Sequence, residues 1–195
     1  FSGFNNATSI DVSKLNTSNV TNMDKMFVDC RALQTLDLSQ FDTSKVTSME
    51  RMFSYCETLQ SLDLSQFDTS NVTSMEYMFN DCYSLHSLDV SNFNTSKVTN
   101  MYWMFGACSV LQTLDLSSFD TPKVTDMRYM FNSCSALQAL DLSNFDVSNV
   151  TNMNCMFANC SNLESIKTPK NIKTPYMDYL SLIHISEPTR LRCIS

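Results

Sequence analysis

Three columns of chemistry-bearing side chains recur along this chain at a fixed interval. The first is thiol: Cys30, Cys56, Cys82, Cys108, Cys134 and Cys160 stand 26 residues apart without an insertion. Thiols repeated in this way can hold a metal, pair as disulfides or fill a core as small apolar groups. No histidine or second ligand recurs beside them, and in-register parallel side chains seldom reach the torsion a disulfide needs. The expectation is a buried thiol ladder, with disulfides or a metal chain as the alternatives. Cys155 falls off the column on an outward position and is expected as a single exposed thiol.

The second column is carboxylate: Asp11, Asp37, Asp63, Asp89, Asp115 and Asp141. Stacked coils lie about 5 Å apart, and like charges at that spacing repel by roughly 1 to 3 kcal/mol per pair, depending on exposure. Ser39, Ser65, Ser91, Ser117 and Ser143, with Thr35, Ser61, Ser87 and Thr113, flank the column as hydrogen-bond donors that can offset this. A cation site or a seat for a basic partner is the alternative.

The third column is aromatic: Tyr77, Trp103 and Tyr129 occupy successive equivalents of Arg51, with Tyr102 beside Trp103. At about 100° per residue they point away from the inward set Met49, Met52, Phe53 and Cys56, which predicts an exposed stripe on the convex side. Such a row suits stacking on sugar rings or a protein hot spot. Drift at tolerant positions, packing of the rings on one another, or packing against a lost domain would also produce it. Were it the ligand contact, Trp103→Ala would lose adhesion without losing thermal stability. Catalysis needs a nucleophile, base and acid converging on a pocket. Regular ladders with His86 as the only histidine before residue 180 offer none, so no catalytic, cofactor-binding or metal-ligating residue and no cofactor is expected.

The elements that must carry these columns follow from the repeat itself. MFSYCETLQSLDLSQF from Met52 returns in the same register from Met78, Met104 and Met130. A period between 20 and 29 with L-x-x-L-x-L in each unit signals a leucine-rich-repeat solenoid. Leu59, Leu62 and Leu64 alternate with Asp63 and Ser65, which predicts a short half-buried parallel strand whose outward Asp lies on the concave face. Val72, Met75, Met78, Phe79 and Cys82 recur at three- and four-residue steps, which predicts a short helix. Thr47 to Glu50 and Thr73 to Glu76 fit capping boxes at its start. The expected fold is therefore an α/β, right-handed solenoid with one strand and one helix per 26-residue coil. Asp42, Asp68, Asn94, Asp120 and Asp146 exchange acid for amide in the turn, which suits a side chain capping its own backbone. A coil of this size cannot fold alone, so stability is collective.

With 20 acidic against 13 basic residues, a net charge of −7 and no basic patch, nucleic acid is not an expected partner. No apolar run approaches the roughly 18 residues of a membrane span. Two Gly and four Pro leave the turns to Asp, Asn, Ser and Thr. Asn71-Val72-Thr73 is a glycosylation-type triplet, but its Asn alternates with Lys45, Lys97 and Lys123, so the repeat does not require modification. Phe1, Phe4 and Ile10 fall on the Phe27, Cys30 and Leu36 columns, so the chain is expected to begin inside a motif. The expected organisation is a solenoid over 1–168 truncated at its N-terminus, an irregular end over 169–179, and a non-native segment over 180–195. There LSLIHISEPTR resembles the translation of a sequencing adapter.

The units MFxxCxxLxxLDLSxFDTSxVTxM, from Phe1 to about Thr168, resemble the BspA-like leucine-rich repeats of bacterial surface proteins. They are most similar to the class catalogued as a domain of unknown function in lactobacilli, mycoplasmas and related bacteria. The resemblance implies a non-enzymatic, extracellular, surface-attached protein whose repeats bind a host or cell-surface protein or a glycan. A structural spacer with no ligand of its own is the alternative. Self-association through unpaired strand edges at the ends is a third.

Overall fold

The computed structural model describes residues 1–169, so the segments expected over 170–179 and 180–195 lie outside the described residues. Coils stack in register from Phe1 onward, and the 26-residue columns of the sequence become physical ladders. Phe1, Phe27, Phe53, Phe79, Phe105, Phe131 and Phe157 stack ring on ring, with centroids 5.6–5.8 Å apart and planes within 7°. A second, shorter stack runs through Phe93, Phe119 and Phe145 at 6.5 and 6.1 Å. Val, Met and Leu columns complete a continuous core; Val72, Met75, Met78, Phe79, Cys82 and Leu85 are all fully buried.

The stretch expected as a helix is not one, and the capping boxes at Thr47–Glu50 and Thr73–Glu76 do not form a helix start. No α-helix occurs among the described residues. The reason is where the backbone donors go. Arg51, Phe53 and Tyr55 give their N–H groups to Glu76, Met78 and Asn80 of the next coil at 2.8, 3.0 and 2.9 Å. Between them Met52, Ser54 and Cys56 close short turns onto Met49, Arg51 and Phe53 at 3.2 Å. In the first and last of these turns the third residue is left-handed, as a type II turn requires: Arg51 and Tyr55 have φ of 56° and 62°. The same pair recurs as Lys25 and Asp29, Tyr77 and Asp81, Trp103 and Ala107, Tyr129 and Ser133, and Cys155 and Asn159.

The strand expectation holds only in part. Parallel strands β1 (Ala139–Asp141) and β2 (Ser165–Lys167) pair in the expected register, Ala139 to Ser165 and Asp141 to Lys167. Earlier coils keep the alternating burial, Leu62 and Leu64 in and Ser61, Asp63 and Ser65 out, with one parallel bridge on the strand column, Ser9 to Thr35. The other parallel bridges run through Asn22, Ser48, Ser74, Asn100, Asp126 and Asn152, at the start of the turn segment.

The turn column behaves as a cap: Asp68 Oδ1 accepts the Ser70 N–H at 2.9 Å, and Asp42 and Asp146 do the same for Ser44 and Ser148. The threonine that follows links the coils. Buried Thr43 donates its hydroxyl to the Asp68 carbonyl at 3.0 Å and accepts the Asp68 N–H at 2.8 Å. Thr69 and Thr95 repeat both bonds one coil further on.

The thiol column is a buried ladder of free cysteines. Each Sγ donates to the phenylalanine carbonyl of the preceding coil, as in Cys82 to Phe53 at 3.3 Å and Cys134 to Phe105 at 3.1 Å. Burial pushes the Cys82 and Cys160 thiols up to about 12, so they hold no thiolate at neutral pH. Cys155 is the half-buried exception among the described residues. In a Cys193→Ser background, a thiol-specific chromogenic reagent should therefore titrate one fast cysteine per native chain, removed by Cys155→Ser. The six ladder thiols should appear only on unfolding.

Candidate functional site

The turn geometry places the aromatic column. Tyr77, Trp103 and Tyr129 occupy the left-handed position at φ of 55°, 55° and 58°. Bulky residues rarely adopt this conformation, which costs about 1–2 kcal/mol. Their rings stack along the coil axis, Tyr77 on Trp103 at 6.3 Å and 4°, and Trp103 on Tyr129 at 4.8 Å and 8°. The Arg51 guanidinium, held by Glu50 and Glu76, covers the outer face of Tyr77 at 4.1 Å. Tyr102 stands edge-on to Tyr77 and Tyr129 at 5.1 and 5.9 Å, and Arg128 sits over its ring at 4.7 Å.

Trp103 fits because of a local absence. At the position three residues on, other coils carry Val28, Ser54, Asn80, Asn132 or Ala158, whereas here it is Gly106. A Cβ on Gly106 would lie 2.1 Å from the indole Cε3 and 3.0 Å from Asn80 Nδ2. The indole occupies the space that side chain would take.

Beside this stack opens a groove of about 680 Å³, to which Tyr55, Asp81 and Tyr83 contribute as well as Tyr77, Tyr102, Trp103 and Tyr129. All four aromatic residues singled out from the sequence thus come together on one groove. Tyr55 and Tyr83 were missed, because they belong to two other columns, filled elsewhere by Asp29, Ala107 and Ser133 or by Arg31, Glu57 and Ser109. The groove's most exposed ring is Tyr83, at 42%. Its hydroxyl donates to Asp81 Oδ1 at 2.6 Å, which pushes the phenol up to about 12. Burial and the neighbouring Tyr102 hydroxyl likewise push Tyr77 up to about 12, so these two phenols are neutral at physiological pH.

Because the flat faces of Tyr77 and Trp103 are turned to each other and to Arg51, the groove offers ring edges, hydroxyls and a carboxylate. Face-on stacking of a sugar on those rings has no room. The ring-on-ring packing also means that Trp103→Ala should lower stability, in contrast to the expectation from the sequence.

The carboxylate column forms a separate exposed row outside the groove. Asp37, Asp63, Asp89 and Asp115 each accept the N–H of the serine two residues on, at 2.9 Å, and Asp141 does so at 3.0 Å. The bonds from these serines hold Asp37, Asp63, Asp89 and Asp115 below the usual carboxylate range, against a smaller repulsion between neighbours such as Asp63 acting on Asp37. Lys167, one period after Asp141, lies 2.7 Å from it and helps bring its pKa to about 2. A folded pKa below the unfolded one contributes stability above the unfolded value, about 3.9, and loses it as pH falls through the folded value. The thermal midpoint should thus be insensitive to these groups from pH 5 to 7 and fall below pH 4, a fall that Asp63→Asn and Asp89→Asn together make shallower. No cluster of three His, Cys, Asp or Glu among the described residues is arranged to hold a metal ion.

Comparison with known proteins gives similar solved structures, among them three bacterial leucine-rich repeat proteins. A leucine-rich repeat protein from Bacteroides ovatus aligns over 72% of this chain and 38% of its own, at 20% identity and a TM-score of 0.42. The T. pallidum leucine-rich repeat protein aligns over 67% and 56%, at 22% identity and 0.45. A leucine-rich cell surface protein from Faecalibacterium prausnitzii aligns over 78% and 65%, at 18% identity and 0.26. The chain thus spans less than two thirds of each of these proteins. A search of curated proteins returns no match. A family model matches residues 1–109 and again 84–177, in keeping with the repeat, and the chain belongs to the family described as Mycoplasma protein of unknown function, DUF285.

Proposed function

We propose that this chain is a non-enzymatic interaction module of a bacterial cell-surface protein, which engages an extracellular partner through the aromatic groove beside Trp103. The observation that carries this reading is the concentration of Tyr55, Tyr77, Tyr83, Tyr102, Trp103 and Tyr129 on one groove, where the same columns elsewhere hold residues such as Lys25, Asp29 and Ser133. Aromatic residues at the centre of an otherwise polar surface are typical binding anchors. The consumed ring faces favour a protein over a glycan. Extracellular location and adhesion follow from the resemblance of the repeat units to bacterial surface repeats. No nucleic acid, cofactor or membrane insertion enters this reading.

A second reading, a spacer without a ligand, is favoured by one observation: the Arg51–Tyr77–Trp103–Tyr129 stack joins successive coils and can serve to stiffen them. An array of extracellular-matrix proteins and glycans, probed with the full chain and with a Tyr55→Ser, Tyr83→Ser double variant, separates the two. Specific binding that the double variant loses while keeping its melting temperature supports the interaction module. A silent array for a well-folded chain supports the spacer.

A further inference from the structure

The described residues seat three guanidinium groups in one manner: over an aromatic ring and against a carboxylate. Arg31 lies 5.4 Å from the Tyr55 centroid and pairs with Asp29 at 2.8 Å and Glu57 at 2.5 Å. Arg51 covers Tyr77 beside Glu50, and Arg128 covers Tyr102 while pairing with Asp126 at 2.6 Å. Two coils after Asp29 and Arg31, the equivalent positions are Asp81 and Tyr83. The carboxylate remains, but a ring has replaced the arginine. Among the described residues no cation pairs with Asp81, whose Oδ1 accepts only the Tyr83 hydroxyl. Ring and carboxylate both line the groove, on a chain of net charge −7.

We propose that this fourth ring-and-carboxylate pair receives an arginine side chain from the partner protein: the guanidinium lies against Tyr83 and pairs with Asp81. A guanidinium suits the place better than an ammonium, because its planar fork pairs with a carboxylate while its face stacks on a ring. The inference rests on the groove reading above and specifies its ligand as a basic, arginine-bearing segment.

Trp103 is the chain's single tryptophan and lines the same groove, so its emission reports occupancy directly. Titrating the full chain with an acetyl-Gly-Arg-Gly-Arg-Gly amide peptide should give a saturable change in that emission, weakening as salt is raised. The citrulline counterpart should bind at least tenfold more weakly. Asp81→Asn should lose at least tenfold in affinity without unfolding, since Asn tolerates the left-handed φ of 60° at this position. Asp115→Asn, on the separate row, should leave binding unchanged. Equal affinity for arginine and citrulline peptides, retention of binding in Asp81→Asn, or no response from a chain with native emission would overturn the proposal. If an array partner without exposed arginine binds and is lost in the Tyr55→Ser, Tyr83→Ser variant, the groove reading stands and the arginine seat falls.

Discussion

Phe79→Ala is expected to lower the unfolding free energy by about 3–5 kcal/mol, the range for removing a large buried aromatic side chain. Phe79 is fully buried and stacked on both faces, 5.7 Å from Phe53 and 5.7 Å from Phe105. Its loss leaves a gap between rings that the neighbouring coils cannot close, because their spacing is fixed by the backbone bonds from Arg51, Phe53 and Tyr55 to the next coil. Stability in a stacked repeat is a sum of coil and interface contributions. A Phe79→Ala, Phe105→Ala double variant should accordingly lose less than the sum of the two single losses, since both singles destroy the same interface. Urea unfolding of the three variants measures this. Strict additivity would mean that the ladder is a row of independent side chains.

Gly106→Ala should have the second large effect, because the added carbon falls 2.1 Å from the indole of Trp103. The indole must leave its place between Tyr77 and Tyr129, so its emission should shift to longer wavelength. The expected loss of stability is about 1–3 kcal/mol, as for other overpacked sites. Groove binding should go with it. The cause is separable from any general intolerance of alanine: φ at Gly106 is not in the left-handed region, so the backbone itself accepts a side chain. In a Trp103→Ala background, Gly106→Ala should therefore cost much less, leaving only the close approach to Asn80 Nδ2 at 3.0 Å. An equal loss in both backgrounds would show that the indole does not depend on the missing side chain.

The repeat, its columns and the inward set were legible in the sequence because a fixed 26-residue period leaves little freedom in which residues superimpose. The helix was not, and its failure has a physical cause. Inward residues at Met49, Met52, Phe53 and Cys56 satisfy a helix, but they equally satisfy a chain of overlapping four-residue turns with left-handed residues at Arg51 and Tyr55. Spacing alone cannot tell them apart, since the difference lies in whether the N–H of Phe53 points to its own segment or to Met78 in the next coil. The nearly glycine-free sequence hid the left-handed positions, here filled by Arg51, Tyr55, Tyr77 and Trp103 in place of glycine.

The aromatic column was likewise legible as a column and not as a surface. That Tyr77, Trp103 and Tyr129 coincide in successive coils follows from the period; that their faces are consumed by one another depends on side-chain orientation about a left-handed backbone. Gly106 was the available signal, because a glycine in a column of Val28, Ser54, Asn80, Asn132 and Ala158 marks a neighbour needing room. Tyr55 and Tyr83 could have been found by reading the adjacent columns for tyrosines in the same coils. The pairing of Asp81 with Tyr83 stands out only by comparison with that of Asp29 with Arg31.

The most direct test of the groove as the contact surface is oxidative footprinting of the full chain, free and in complex with a protein captured from the extracellular-matrix array. The account predicts protection at Tyr55, Tyr83 and Tyr102, with the exposed residues beside Asp37, Asp63, Asp89, Asp115 and Asp141 oxidised equally in both states. Protection of the carboxylate row with the groove tyrosines unchanged would contradict it.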